Sequence, residues 1–431
     1  MKLGACLKMC LPVAMLASAA AAQTPATIDI TQAKALFAET KDISDHEGGR
    51  LWGMKLYGAM FFVDPQTRYV VANEPDLQGV LKPQDGVYVG TLPKDVLISN
   101  APIEWGGKRW TELMWPMYGD AVSRRVSLGH EPFHRIQPQL HLMAEDFQNP
   151  ELDTEDGRLW LQLEWRALAA ALIEKGPAQT QAIRDAILFR DQRHHEFPGS
   201  AKTEASLEIA EGVPEYTGVV ATLDHDSGLW RTIAKLADPD QTMTFVRSFA
   251  YTSGPAYGLL LDERLPNWRK GLNEKSDLGA LLASTVHGGP QESAEKRAAV
   301  YGVAALRMTE DERAAKAAAE KAKYRALLID GPTLTLASAG HFAFNFNPST
   351  LVGMGDVGSV YPTFYVKDSW GTLDVKGGAL VPSDFSGVTV AAPATPPTGS
   401  HVAGPGWTLD LAPGWKIVPG AKPGSYVVQK G

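Results

Sequence analysis

The amino-acid sequence predicts an α+β protein: a β-sheet on the N-terminal side, a mainly helical middle, and a small β-rich C-terminal module. Three observations carry that expectation. Between residues 51 and 120, strand-like segments alternate with Pro, Gly and Asn/Asp turns. From 157 to 330, apolar residues recur at helical spacing. From Pro332 onward the composition shifts to Gly, Thr, Val, Phe and Tyr, residues of turns and strands.

Taken in order, residues 1–22 read as a secretory signal. Lys2 and Lys8 supply the charged start, Met9 to Leu16 the apolar run, and Ala20-Ala21-Ala22 a cleavage site before Gln23. The expected product is an exported protein, periplasmic or secreted. The run is too short to span a bilayer and no later stretch reaches twenty apolar residues, so stable membrane insertion is not expected. Cys6 and Cys10 both fall in the leader, which leaves the mature chain without a disulfide, a cysteine nucleophile or a thiolate ligand. Without Lys2 and Lys8, 39 basic residues face 49 acidic ones, a net charge of −10. An acidic chain without a Lys/Arg cluster argues against a nucleic-acid partner.

A main core is expected over 23–330, with its sheet part at about 51–120 and its helical part at about 121–330. Residues 28–50 read as a leading helix. Trp52 to Ala72, Gly86 to Ser99 and Lys108 to Trp115 read as strands. Leu159 to Glu174, Gln179 to Asp191 and Glu295 to Leu328 read as helices. The module at 331–431 is expected to hold strands at Thr333 to Ala339, His341 to Phe346, Thr363 to Lys367 and Thr372 to Val375. A linker at Ala391 to Ser400 would precede a last hairpin around Trp407 and Trp415.

One motif names a chemistry. His130-Glu131-Pro132-Phe133-His134 is H-E-x-x-H. On a helix, positions i and i+4 project from one face, so His130 and His134 can offer two imidazole nitrogens to one Zn2+ ion, with Glu131 beside them as general base. The longer metzincin pattern fails, because Gln137 and Leu140 stand where it needs Gly and His. His194, His195 and His225 read as surface histidines of polar loops.

A second segment, Glu211-Gly212-Val213-Pro214-Glu215-Tyr216, resembles the third-ligand helix of gluzincin metallopeptidases, where E-G-x-A-x-Y follows H-E-x-x-H. The resemblance implies a gluzincin-like core, with a mixed N-terminal β-sheet, and a His130, His134, Glu211 ligand set that leaves zinc's fourth position open. It implies that Glu215 accepts a ligand imidazole's N–H. On spacing alone, Glu204, Glu208, Glu211 and Glu215 also read as a solvated acidic stripe. A third segment, Tyr251-Thr252-Ser253-Gly254, looks like the Y-x-x-G helix start of aminopeptidase-like gluzincins. It implies that the Tyr251 hydroxyl meets the developing oxyanion, with Tyr257 as the competing position. In such an upper sheet an edge strand pairs with extended substrate, and Trp110, Thr111, Glu112, Leu113 and Met114 are the candidate.

Two prolines depart from the pattern. Pro132 and Pro214 each delete a helical hydrogen bond, which costs about 3 kcal/mol in a helix interior. Ser127 as N-cap would leave Pro132 near the first turn and soften that cost. The function expected is therefore an exported zinc metallopeptidase acting on a peptide or protein substrate, weakly active or inactive if the prolines disrupt the site. The alternative is a non-catalytic exported binding protein on the same scaffold. Oligomeric state is open at this level.

Overall fold

The chain divides into two units, Met1–Ile136 and Gln137–Gly431. The computed structural model describes residues 28–93, 96–117, 119–239, 244–288, 292–340, 342–346 and 350–431. The leader expected at 1–22 lies outside the described residues.

In the first unit, helix α1 (Ile30–Glu47) begins where the Asp29 carboxylate accepts the amides of Thr31 and Gln32. It ends at Gly48, whose φ of 65° is the left-handed conformation glycine adopts without cost. Six strands follow: β1 (Met60–Val63), β2 (Tyr69–Ala72), β3 (Lys82–Gln84), β4 (Val87–Thr91), β5 (Ala101–Trp105) and β6 (Lys108–Met114). Their order is β3-β4-β2-β1-β6-β5. The β1–β6 pair is parallel and the others antiparallel, so the sheet is mixed as expected. All four residues of β1, Met-Phe-Phe-Val, are buried, because both faces of this central strand are covered. Phe61, Val63, Val70, Ala72 and Trp110 form one core. On the other face Phe62 stacks on Phe37 of α1, with ring centroids 5.1 Å apart. Helix α2 (Ala121–Ile136) packs on β5 and β6.

The expectation of an edge strand at Trp110 to Met114 is corrected here. β6 lies inside the sheet, paired with β1 on one side and β5 on the other, and Trp110, Thr111, Glu112 and Leu113 are buried. Which segment is the edge depends on partners far away in sequence. Among the described residues the open edges are β3 and β5, and each carries a proline, Pro83 and Pro102. β3 and β4 are joined by Asp85-Gly86, both at positive φ (49° and 77°), the two-residue turn that matches strand twist.

The second unit starts with helices: α3 (Glu155–Ile173), α4 (Gly176–Glu196), α5 (Ser200–Leu207), a π-helical turn at Glu208–Gly212, α6 (Val213–Thr222), α7 (His225–Ala237) and α8 (Phe245–Arg264). α9 (Leu278–Ala283), α10 (Ala294–Ala298) and α11 (Val303–Arg325) complete them. α3 is buried nearly all round, because α4, α7, α8 and α11 surround it. The long helix expected over 295–328 is broken at Gly302, which is left-handed at φ 72°. Among the described residues no helix is long and apolar enough to cross a membrane.

The C-terminal region is β-rich, as expected. Its strands are β7 (Thr333–Ala337), β8 (Ala343–Phe346), β9 (Val352–Gly353), β10 (Ser359–Tyr361), β11 (Phe364–Asp368), β12 (Gly371–Val375), β13 (Ala379–Val381), β14 (Gly387–Ala391), β15 (His401–Gly404), β16 (Trp407–Leu411), β17 (Trp415–Pro419) and β18 (Tyr426–Lys430). They form a seven-stranded sheet, β17-β18-β7-β14-β13-β10-β9, and a five-stranded sheet, β15-β16-β12-β11-β8. Leu334, Leu336, Val388 and Val390 from the first share one core with Phe364, Val366, Leu373, Val375 and Leu409 from the second, which makes a sandwich. The expected linker and final hairpin are corrected accordingly. Residues 392–400 cross from β14 to β15, and Trp407 and Trp415 lie on strands of different sheets. Sheet membership is decided by long-range pairing that local turn residues do not encode.

Glu112 on β6 is wholly buried, and among the described residues neither of its carboxylate oxygens has a hydrogen-bond partner. Burial pushes its carboxyl up to about 8, against weaker pulls from the Ser99 backbone and the Arg68 charge. A carboxyl whose folded value exceeds its unfolded one favours folding fully below about pH 4.5. That contribution is lost as pH rises through about 8. Glu112→Gln is expected to melt later than wild type at pH 8, by on the order of 3 kcal/mol, and the difference should shrink toward pH 4.5. Thermal melts across that range check it, and a pH-independent difference would refute it.

Candidate metal centre

α2 starts at Asp120, whose carboxylate accepts the amides of Val122 and Ser123. Ser127 is therefore not the cap. It sits in the second turn with its hydroxyl bonded back to the Ser123 carbonyl. Val126, Gly129, His130, Phe133 and Ile136 form the buried face at spacings of three and four. Phe133 packs against Trp52 with centroids 5.1 Å apart. The last turn is tied to the sheet: Arg109 of β6 donates to the Arg135 carbonyl at 3.2 Å, and Arg135 donates to the Leu56 carbonyl at 2.9 Å. Pro132 stands in the twelfth position of this sixteen-residue helix, well inside it.

His130 is buried, at 5 % exposure, and Glu131 and His134 are half-buried. One ligand atom from each of the three lies within 4.8 Å of the others. The His130 and His134 Nε2 atoms are 3.0 Å apart. Two nitrogens bound at tetrahedral angles to one zinc ion would be roughly 3.3 Å apart, so the pair, within hydrogen-bond distance of each other here, stands near ligand spacing. The donor set, two imidazoles and a carboxylate, suits Zn2+. The group could hold a metal ion.

Glu211 lies in the second unit, in the π-helical turn Glu208–Gly212. Pro214 explains that turn. The Val213 amide donates to the Glu208 carbonyl, five residues back, and Pro214 has no amide hydrogen. The carbonyls of Ile209 and Ala210 thereby lose their ordinary i+4 donors. Buried Gln137 replaces them: its Nε2 donates to Ile209 O at 3.2 Å, Ala210 O at 3.3 Å and Leu142 O at 3.0 Å. The turn packs on α8 by direct backbone contact. A Cβ added to Gly254 would come within 2.3 Å of the Gly212 Cα, so no larger residue fits.

The Glu211 carboxylate is held from α8. The Tyr251 hydroxyl donates to its Oε2 at 2.6 Å and Arg247 donates to its Oε1 at 3.2 Å. Arg247 also pairs with Asp146, and the Asp146 bond raises its guanidinium above the ordinary arginine value. Glu215 accepts from Arg231 and Lys235 of α7, at 3.2 and 3.3 Å. Tyr257 is wholly buried and donates to Glu164 at 2.6 Å.

The acidic stripe is not solvated. Glu204 and Glu208 are wholly buried. Arg190 makes two parallel bonds to Glu208 at 2.8 and 2.9 Å. Arg193 makes two to Glu204, at 2.9 and 2.6 Å, and meets Glu164 at 2.7 Å. Burial pushes Glu208 up to about 7, against the pull of Arg190. At Glu204 burial is outweighed by Arg193 and His194, which hold it well below the carboxylate range. His194 belongs to the last turn of α4, with Nε2 3.0 Å from Glu204, and is not a loop histidine.

Sequence reasoning missed Gln137, Arg247 and this Arg–Glu network. A signal for Gln137 existed: a proline inside a helical stretch leaves carbonyls that some donor must reach. No protein-family model, curated protein or solved structure matches the chain.

Two outcomes are expected. Pro132→Ala restores a hydrogen bond to Leu128 and removes a ring clash, together about 3 kcal/mol. It loses roughly 1.6 kcal/mol for two buried methylenes. The net gain of about 1 kcal/mol should appear as a raised melting temperature, and an earlier melt would show that the helix accommodates the proline. Gln137→Ala strips the donor from three buried carbonyls and should destabilise by about 1–3 kcal/mol in a denaturant titration.

Proposed function

We propose that the chain is an exported, zinc-dependent metallopeptidase with a gluzincin-like core. The observation that carries the reading is the convergence of His130, Glu131 and His134, with the two Nε2 atoms 3.0 Å apart. Glu211 is the proposed third ligand. Two features support it: a π-helical turn, a form that recurs at functional sites, and a carboxylate oriented by Tyr251 and Arg247.

Zinc bound there would act as a Lewis acid and bring the attacking water's pKa toward neutrality. Glu131 would take the water's proton and return it to the leaving amine. Glu215 would accept the second N–H of a ligand imidazole and so fix its tautomer. Tyr251 would turn its hydroxyl proton from Glu211 to the developing oxyanion of the substrate carbonyl. Tyr257, committed to Glu164 in a closed core, is set aside for that role. The substrate would be a peptide or protein. A non-catalytic binding protein is the second reading, favoured by Pro132 in the interior of α2.

Metal analysis of the purified protein, with hydrolysis of a quenched-fluorescent peptide library, tests both. Wild type is expected to hold one zinc. Glu131→Gln should keep the zinc and lose hydrolysis, and His134→Ala should lose both. Tyr251→Phe should lower kcat by about tenfold to a thousandfold with zinc retained. Hydrolysis surviving in Glu131→Gln would overturn the mechanism, and zinc held without any hydrolysis would select the binding protein. Zinc lost from Tyr251→Phe with kcat intact when zinc is added back would make Tyr251 a residue that positions Glu211.

A further inference from the structure

The outer face of the five-stranded sheet is exposed along its length and predominantly polar. In β11 the inward residues Phe364 and Val366 are buried, while Tyr365 between them is 47 % exposed and Lys367 beyond is exposed. Pairing aligns Asn345 of β8, Tyr365 of β11, Asp374 of β12 and Thr408 of β16 in one cross-strand row. Directly opposite side chains in such a row are about 5 Å apart, so its first three members span roughly 10 Å.

At this row there is a groove of about 310 Å³, lined by Asn345, Thr363, Tyr365, Asp374 and Lys376 with Phe346, Phe364 and Val375. That volume is at the lower end for small-molecule sites. Among the described residues, none of those five polar side chains is tied to another by a hydrogen bond or ion pair. Elsewhere on this face Asp410 is already engaged by His401 at 2.6 Å. The groove therefore sets uncommitted polar side chains beside one exposed aromatic ring, over a lining that is itself mostly apolar.

We propose that this groove binds a neutral oligosaccharide. A pyranose presents an apolar C–H face, which an exposed Tyr ring covers, and an equatorial rim of hydroxyls, each both donor and acceptor. Asp374 accepts from two such hydroxyls, Asn345 and Thr363 both donate and accept, and Lys376 donates. The carboxylate and ammonium cancel, so the groove has no net charge with which to select an ionic ligand. A row across three strands fits two ring units side by side.

The test titrates the full chain calorimetrically with cellotetraose, chitotetraose, maltotetraose and mannotetraose, each up to about 10 mM. At least one is expected to bind. Tyr365→Ala and Asp374→Ala should each weaken that binding at least tenfold, while Lys367→Ala, on the same face outside the groove, leaves it unchanged. Both groove substitutions are at the surface, so melting temperatures should stay within a degree or two. Absence of binding by all four sugars, or binding unaffected by Tyr365→Ala and Asp374→Ala, overturns the proposal. Capture of a charged peptide by the groove in place of the sugars overturns it equally.

Discussion

The helical part of the second unit is organised around two guanidinium groups with almost no contact with water. Arg190 and Arg193 lie one turn apart on α4, and between them they engage Glu164 of α3, Glu204 of α5 and Glu208 of the π-helical turn. Tyr257 of α8 closes the set through Glu164. Burying five such groups costs several kcal/mol per ion, repaid only when every partner is in place. The cluster therefore rewards one arrangement of five elements and penalises its neighbours steeply. Burial, against the pull of Arg190, accounts for Glu208, whose carboxyl is raised to about 7.

That arrangement fixes where Glu211 goes. Glu208 is anchored from below by Arg190, and Gly212 is pressed on Gly254 with no side chain between the backbones. The turn between those two fixed points carries one residue more than an α-helix would, because Pro214 removes the amide that would close the regular register. The proline that seemed to degrade the segment is instead part of its geometry, and Gln137 satisfies the carbonyls it leaves behind. Pro132 stands in the interior of α2, where a proline is a local cost.

What could be read from the sequence was local. His130 and His134 share a face because helical spacing alone puts them there, and α1, α3, α4 and several strands of the N-terminal sheet follow from periodicity and turn residues. What could not be read depended on distant partners. Arg190, Glu204 and Glu208 look solvent-bound in any window of sequence, since only the fold places each charge beside its opposite. β6 looked like an edge because neither β1 nor β5 announces itself as its neighbour. The split of Trp407 and Trp415 between two sheets was hidden for the same reason.

The placement of Pro83 and Pro102 has a consequence for how the protein behaves at high concentration. The Thr111 amide of β6 faces β1, bonding the Ala59 carbonyl, so the even-numbered residues of β6 face β5. Their partners Ala101, Ile103 and Trp105 face back, which leaves Pro102 and Glu104 pointing outward. On the far side, Gln84 and Val87 close the two-residue turn, so Pro83 is the outward residue of β3. At each open rim, then, a ring without a donor occupies a position where an incoming strand would seek an amide, with Glu104 or Lys82 adding charge beside it. Neither rim can template a foreign strand efficiently, and the sheet is shielded on both sides from the edge-to-edge stacking that turns soluble β-structure into aggregate.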